Sequence, residues 1–329
     1  MKLADLAVVL PYWFDRPAME ALDIARNADR LGFDELWVGE MATFEAFALA
    51  GAITRDTERI ALTIGPLAAG VRTPVQLAMG WASVAELGGR AVQLALGAST
   101  PAIVVNWHGR DWQRPVARMR ETVALLRSIA TGARVSFQGE FYSVEQFRLR
   151  LAVPRPRITL AAFGPHMLRL AAEIADRAVV NLLTVDQVAG TRRLLDDAAS
   201  KAQRPRPPLA AWVPVALDPS AATRLQLAQQ LAAYLPAPGY GEMLIAAGFG
   251  EAVERARSGM ARRDVAKLVG EDLIGAVGAI GSIDEIVARL HSYREAGADV
   301  VAVVPATADD HGAARTLAAL AEAVRGSGA

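Results

Sequence analysis

Residues 62–74 read LTIGPLAAGVRTP. The stretch begins as a buried strand, with Ile60, Leu62 and Ile64 apolar at alternate positions. Gly65-Pro66 then interrupts it, and proline, which donates no hydrogen bond, is unwelcome inside a central strand. Apolar residues continue nonetheless, and Thr73-Pro74-Val75-Gln76 follows. That is a capping box with proline at the first helical position. Strand, break and helix start together make one β/α unit, with the break at the strand's C-terminal end, where a parallel ladder can stop.

The same unit recurs along the chain. Strands are predicted over 3–10, 33–39, 59–64, 90–96, 158–163, 178–183, 209–217 and 299–304, each short and rich in Val, Leu and Ile. Helices are predicted between most of them. Asp15 is placed as the cap of the first, and Ser282-Ile283-Asp284-Glu285 forms a second capping box late in the chain. A small hairpin is expected near 133–142, and a helical insertion near 219–272. Apolar strands that alternate with helices predict a parallel sheet covered on both faces. Eight of them is the number that closes a (β/α)8 TIM barrel, and 329 residues fit that fold with insertions. An open doubly wound sheet would show G-x-G-x-x-G after its first strand, where this chain has LPYWFD. No linker or low-complexity segment divides the chain, so residues 1–329 are read as a single domain.

Composition narrows the function classes. The formal net charge is +0, which offers no electrostatic reason to bind nucleic acid or a membrane surface. The chain has no cysteine, which excludes disulfides, thiolate chemistry and cysteine metal sites. Four scattered histidines give no metal-ligand spacing, so no metal is expected. The N-terminus lacks a secretory pattern, and no apolar run reaches a membrane span. The expected location is the cytoplasm.

A barrel places its chemistry at the C-terminal strand ends. Three features there carry polar chemistry. Phe163-Gly164-Pro165-His166 joins a strand to a helix, and free N–H groups at such a helix start suit a phosphate, although a plain turn has the same composition. Asn106-Trp107-His108 sets a stacking ring beside a titratable imidazole; the competing reading is a solvent-facing histidine with Trp107 covering the core. Glu40-Met41 ends the second strand with a carboxylate, either an acid–base group or the partner of an arginine. His291 and His311 lie on helical stretches far from strand ends and are read as surface residues. No zincin, kinase, Walker or nucleophile-elbow motif occurs.

Five segments taken together resemble the bacterial luciferase-like superfamily. They are ADRLGFDELWVGE (28–40), RIALTIGPLAAGVRTPVQLA (59–78), ELGGRAVQLALGAST (86–100), ITLAAFGPHMLRLAAEIADRAVVN (158–181) and GSIDEIVARLHSYREAGADVVAVVP (281–305). The order and spacing are most similar to its deazaflavin branch, which uses coenzyme F-420. The resemblance implies an oxidoreductase that transfers a hydride between C5 of the cofactor and an organic substrate. It also implies a bulged third strand with a cis peptide behind the ring, placed here at Gly65, Pro66 and Leu67, with Gly65-Pro66 as the cis bond. Ala98, Ser99 and Thr100 match a cofactor-lining turn, and Phe163, Gly164, Pro165 and His166 a phosphate site. Many relatives follow the strand-two acid with a histidine near the reacting carbon; here Met41 stands there, so the expectation is that Glu40 or His108 moves the proton or that the chemistry needs no such acid. Tyr12, Met41, Phe44 and Trp107 are candidates for the substrate pocket. The alternatives are an FMN-dependent monooxygenase and a non-catalytic flavin-binding barrel. Relatives are commonly dimers, so a homodimer acting on a small organic substrate is expected.

Overall fold

The computed structural model describes residues 1–13 and 15–326. Eight strands of the main sheet are numbered along the chain: β1 (Leu6–Val9), β2 (Glu35–Val38), β3 (Ala61–Ala68), β4 (Val92–Gly97), β5 (Ile158–Ala161), β6 (Arg177–Asn181), β7 (Leu209–Leu217) and β8 (Val300–Pro305). In hydrogen-bonded order they run β7-β8-β1-β2-β3-β4-β5-β6, and β6 pairs back with β7, which closes a (β/α)8 barrel. One strand was not expected: Ala279–Gly281 adds in parallel to β7 beside residues 215–217. Three residues that follow one glycine and end in another carry too little pattern to be read as a strand.

By contacts the chain forms two compact units, one of residues 1–36, 180–193 and 208–329, the other of residues 37–179 and 194–207. The second unit holds β3, β4 and β5 with α2 (Ala46–Asp56), α3 (Pro74–Gly88), α4 (Pro115–Ile129) and α5 (Gly164–Ile174). Its interior includes a cation. Arg177, 7% exposed, donates to Thr159 Oγ1 at 3.1 Å and Thr63 Oγ1 at 3.3 Å and lies 4.5 Å from the Trp37 ring. These pairings replace the water that the guanidinium gives up on burial. The hairpin is present, with strands Val135–Gln138 and Ser143–Phe147, so it extends five residues past the expected end.

The Thr73 capping box forms as expected: Thr73 Oγ1 accepts the Gln76 N–H at 3.2 Å, and Gln76 Oε1 accepts the Thr73 N–H at 3.0 Å. The Ser282–Glu285 box forms in the first unit, at the start of the helix Ile283–Glu295. Asp15 does not cap the first helix, α1 (Glu20–Arg30). A turn with Glu20 N–H bonded to the Pro17 carbonyl precedes the helix, and the Asp15 carboxylate accepts instead from Gln226 Nε2. After α6 (Val185–Lys201), the region 219–272 is helical, as α7 (Ala221–Tyr234), α8 (Tyr240–Ala246), α9 (Gly250–Arg257) and α10 (Arg262–Ala266).

Within the first unit, one buried carboxylate ties α1 to the segment after β8. Glu20 accepts from Arg16 Nε at 2.9 Å and Nη2 at 2.8 Å, from the Thr307 hydroxyl at 3.1 Å and from the Gly312 N–H at 3.0 Å. His311 Nδ1 lies 3.2 Å from the same carboxylate, so this exposed histidine is engaged at the surface. Burial opposes ionisation of Glu20, but Arg16, the Gly312 N–H and the Thr307 hydroxyl outweigh it and hold the carboxyl below its ordinary 4.5. A depressed folded-state value stabilises the fold above the unfolded-state pKa, and that stabilisation is lost as pH falls through the folded value. Glu20→Gln should therefore cost about 2–3 kcal/mol at pH 7. Urea melts of both proteins at pH 7 and pH 4 should show the gap narrowing at the lower pH. An equal gap at both would refute the assignment.

Candidate active site

The bulge that organises the site lies at the end of β3. Ile64 pairs with Leu94 and Leu67 with Leu96, so Gly65 and Pro66 together face Ala95. Two residues opposite one is a β-bulge, a device that re-aims a strand next to an active site. The Gly65–Pro66 peptide is cis, as the resemblance implied. The expectation that the ladder stops at Ile64 is corrected. Pairing resumes past the proline at Leu67 and Ala68, because the bulge absorbs the residue that cannot donate. Gly65 has φ +122, and a Cβ there would collide with the Ala95 carbonyl, so only glycine lets β3 approach β4 this closely.

Beside this shelf, Gly97 at the end of β4 leaves room for Pro66 and Ala161; a Cβ on it would sit 3.5 Å from each of their Cβ atoms. Ala98, Ser99 and Thr100 follow, each partly exposed. Ser99 has φ +60, uncommon outside glycine and the kind of local constraint that collects at functional sites. Trp112 Nε1 donates to the Ala98 carbonyl at 2.9 Å, and the Tyr142 hydroxyl donates to the Ala69 carbonyl at 2.9 Å. The hairpin and the post-β4 segment thus brace the shelf from outside. Neither partner shows in the sequence, since each reaches its carbonyl only through tertiary packing.

At α5 the first amides have no side-chain cap. Phe163 is partly exposed, and Gly164, Pro165 and His166 are exposed. Gly164 has φ +73, and a Cβ there would meet nothing within 4 Å. An uncapped helix start with open space in front suits a phosphate, by free N–H groups and by the helix dipole.

Glu40 is fixed by Arg72, whose Nη2 lies 2.6 Å from its Oε2, and the Ala46 N–H donates to the same oxygen at 3.1 Å. Arg72 also reaches Glu45 at 2.7 Å, and Glu45 caps α2 through the Ala48 N–H. Of the two readings of Glu40, the arginine partnership is the one realised in this geometry. Arg72 pins the loops after β2 and β3 together, a role that its place just before the Thr73 cap could have signalled. Met41 and Phe44 lie between them on the 41–44 bend, half-buried.

The segment after β4 forms a π-helix, Ala102–Trp107, with His108 as its C-terminal cap. Trp107 is 54% exposed, which corrects the alternative in which it covers the core, and His108 is exposed. Of the predicted pocket residues only Tyr12 belongs to the first unit, where it lines a small cavity with Asn181 and Trp212. His291 is 51% exposed on its helix. Among the described residues no three metal-ligating side chains converge, and no helix is long and apolar enough to cross a membrane.

Comparison with known proteins gives a consistent result. The model of the luciferase-like monooxygenase family matches residues 11–300. A Mycobacterium tuberculosis protein provisionally named a coenzyme F-420-dependent oxidoreductase is 25% identical over 347 residues, covering 96% of this chain and 98% of its own. The 5,10-methylenetetrahydromethanopterin reductase of Archaeoglobus fulgidus is 26% identical over 282 residues, 82% of this chain and 84% of its own. Among solved structures, the coenzyme F-420-dependent tetrahydromethanopterin reductase of Methanopyrus kandleri superposes with a TM-score of 0.84 at 19% identity, over 98% of this chain and 99% of that one. That likeness is one of fold.

Proposed function

The chain belongs to the luciferase-like monooxygenase family, and from that premise we propose that it is a coenzyme F-420-dependent oxidoreductase acting on a small organic substrate. The observation that carries the reading is the β3 bulge, a strip of backbone at a strand end where a planar ring needs support from behind. The choice of deazaflavin over flavin mononucleotide draws on the end-to-end match to a relative named for coenzyme F-420.

When bound, the deazaflavin would supply hydride exchange at C5, and it lacks the ring nitrogen that flavins use to activate oxygen. The protein supplies position and exclusion of water. Gly65, Pro66 and Leu67 support the ring face, and Ala98, Ser99 and Thr100 border it. Phe163, Gly164, Pro165 and His166 present the α5 amides to a phosphate. Met41, Phe44 and Trp107 would line the substrate side of the site. Glu40, held by Arg72, sets the loop that carries Met41 and Phe44, and His108 donates or accepts the proton that balances the hydride.

Separate titrations of the purified protein with coenzyme F-420 and with flavin mononucleotide test this. Micromolar binding of coenzyme F-420 alone is expected. Binding of flavin mononucleotide alone would move the protein to the monooxygenase reading. Tight binding without turnover across a broad substrate screen would make it a non-catalytic barrel.

A further inference from the structure

The hairpin of the second unit stands outside the barrel repeat, yet its turn is fastened to one stretch of α4. The Glu121 carboxylate accepts the N–H groups of Glu140, Phe141 and Tyr142 at 2.9, 2.9 and 2.7 Å. Successive amides that converge on one carboxylate make an anion nest, and here the chain fills its own. Gly139 leaves the room for it, since a Cβ there would collide with the same carboxylate. The Phe141 ring lies 4.5 Å from the Arg118 guanidinium and 5.9 Å from that of Arg114. Thr122 Oγ1 sits 3.2 Å from the Tyr142 hydroxyl. Hydrogen bonds to a charged group are roughly twice as strong as neutral ones, so this turn is a fixed point rather than a loose tip.

What the turn holds is the end of β3. Ladder pairing between β3 and β4 ends at Ala68 and Gly97. The next residue, Ala69, is 3% exposed, so both of its backbone groups need partners. Its N–H donates to the Gly97 carbonyl at 3.0 Å, and its carbonyl accepts the Tyr142 hydroxyl at 2.9 Å. Ala69 lies just past Gly65-Pro66-Leu67, and Gly97 immediately precedes Ala98-Ser99-Thr100. Ala69 therefore ties the shelf to the turn that borders it, and Tyr142 is the side chain that holds Ala69. Loss of the phenol oxygen would strip a buried carbonyl of this donor, and the strand end would regain one only by moving toward water.

We propose that Tyr142 is a positioning residue for the cofactor ring: it sets the spacing between the β3 shelf and the 98–100 turn through the Ala69 carbonyl, and Glu121 holds its phenol in place. The inference rests on the cofactor-binding reading of this site and adds the hairpin to it. A positioning role predicts a pattern that a merely stabilising contact does not. Cofactor affinity falls although the melting temperature barely moves. The effects of Tyr142 and Glu121 on affinity are also not additive, because both act through one hydrogen bond.

The parent, Tyr142→Phe, Glu121→Gln and the double variant are titrated with whichever of coenzyme F-420 and flavin mononucleotide the parent binds. Amide exchange is followed by mass spectrometry in the same proteins without cofactor. Tyr142→Phe should weaken cofactor binding by about tenfold and speed exchange across residues 66–72 by a similar factor, while melting within about 3 °C of the parent. Glu121→Gln should weaken binding by about threefold or more, and by less than about twofold in the Tyr142→Phe background. Ser143→Ala, which removes another hydroxyl of the same hairpin, should bind as the parent does. Unchanged exchange over residues 66–72, a Tyr142→Phe affinity within about twofold of the parent, or strictly additive losses overturns the proposal. Should Tyr142→Phe fail to fold, Glu121→Gln decides by the same two measurements: weaker binding with faster exchange supports the proposal, and no change in either overturns it. A parent that binds neither ring sinks the oxidoreductase reading and this inference with it, whereas a parent that binds and a Tyr142→Phe protein that behaves like it sink this inference alone.

Discussion

Replacing Gly65 by alanine should cost the fold about 3–5 kcal/mol and abolish cofactor binding. Two penalties combine. The residue has φ +122, a conformation that alanine adopts only under strain of about 1–3 kcal/mol. The added Cβ would also collide with the Ala95 carbonyl oxygen and crowd the Leu67 nitrogen. Both are backbone atoms inside a paired ladder, so neither can turn aside as a side-chain tip would. Relief requires β3 and β4 to separate, and overpacking of this kind costs about 1–3 kcal/mol more. For a chain of this size the melting temperature should fall by about 10 °C. Gly70→Ala is the matched control: its Cβ would meet Val104 Cγ1 at 3.4 Å, an ordinary contact, and its φ is not positive, so it should melt close to the parent. A Gly65→Ala protein that melts within about 2 °C of the parent, with cofactor affinity intact, would show that the shelf is neither tight nor needed.

How much of this was legible beforehand differs by element. β7 was readable to the residue, because Leu209–Leu217 is an unbroken apolar run between turn signals. The boxes at Thr73 and Ser282 were readable because capping is a contract among four adjacent residues. The end of β3 was half readable. Gly65-Pro66 announced an irregularity, but whether the strand stops or bulges depends on β4, and pairing register is not local information. The same limit hid Arg177, which reads as a charge preceding a strand and turns out to be buried against Thr63, Thr159 and Trp37. Glu40 shows the cost of position without partners. Its place at a strand end was correct, yet Arg72 is 32 residues away and decides what the carboxylate can do.

His108→Ala should lower kcat by about 10²–10⁴-fold while leaving coenzyme F-420 affinity within about threefold. The choice of His108 follows from elimination within the structure. Met41, which stands where the resemblance implies a histidine, cannot transfer a proton. Glu40 is bound to Arg72 and to the Ala46 N–H. His166 stands at the α5 start, where the phosphate is proposed. Tyr234 and Tyr240 have raised pKa values through burial and are poor donors at neutral pH. His108 is exposed and ends a π-helix whose Ile103 and Val104 N–H groups both bond the Thr100 carbonyl, at 3.1 and 2.9 Å. π-helical turns are rare and frequent at functional sites. This one leaves Val105 43% and Trp107 54% exposed, apolar surface that gains by being covered when substrate and cofactor bind. Covering it would exclude water, and catalytic hydrogen bonds that form only in the complex make the histidine's exposure in the free protein compatible with the role. The test is steady-state kinetics of His108→Ala and His108→Gln with the cofactor at saturation. Glutamine keeps a hydrogen-bonding side chain but cannot exchange a proton near neutral pH, so a role in proton transfer predicts that both variants fail alike, whereas simple hydrogen bonding predicts rescue by glutamine. A kcat within about threefold of the parent in both variants would assign the proton to solvent and leave His108 without a catalytic part.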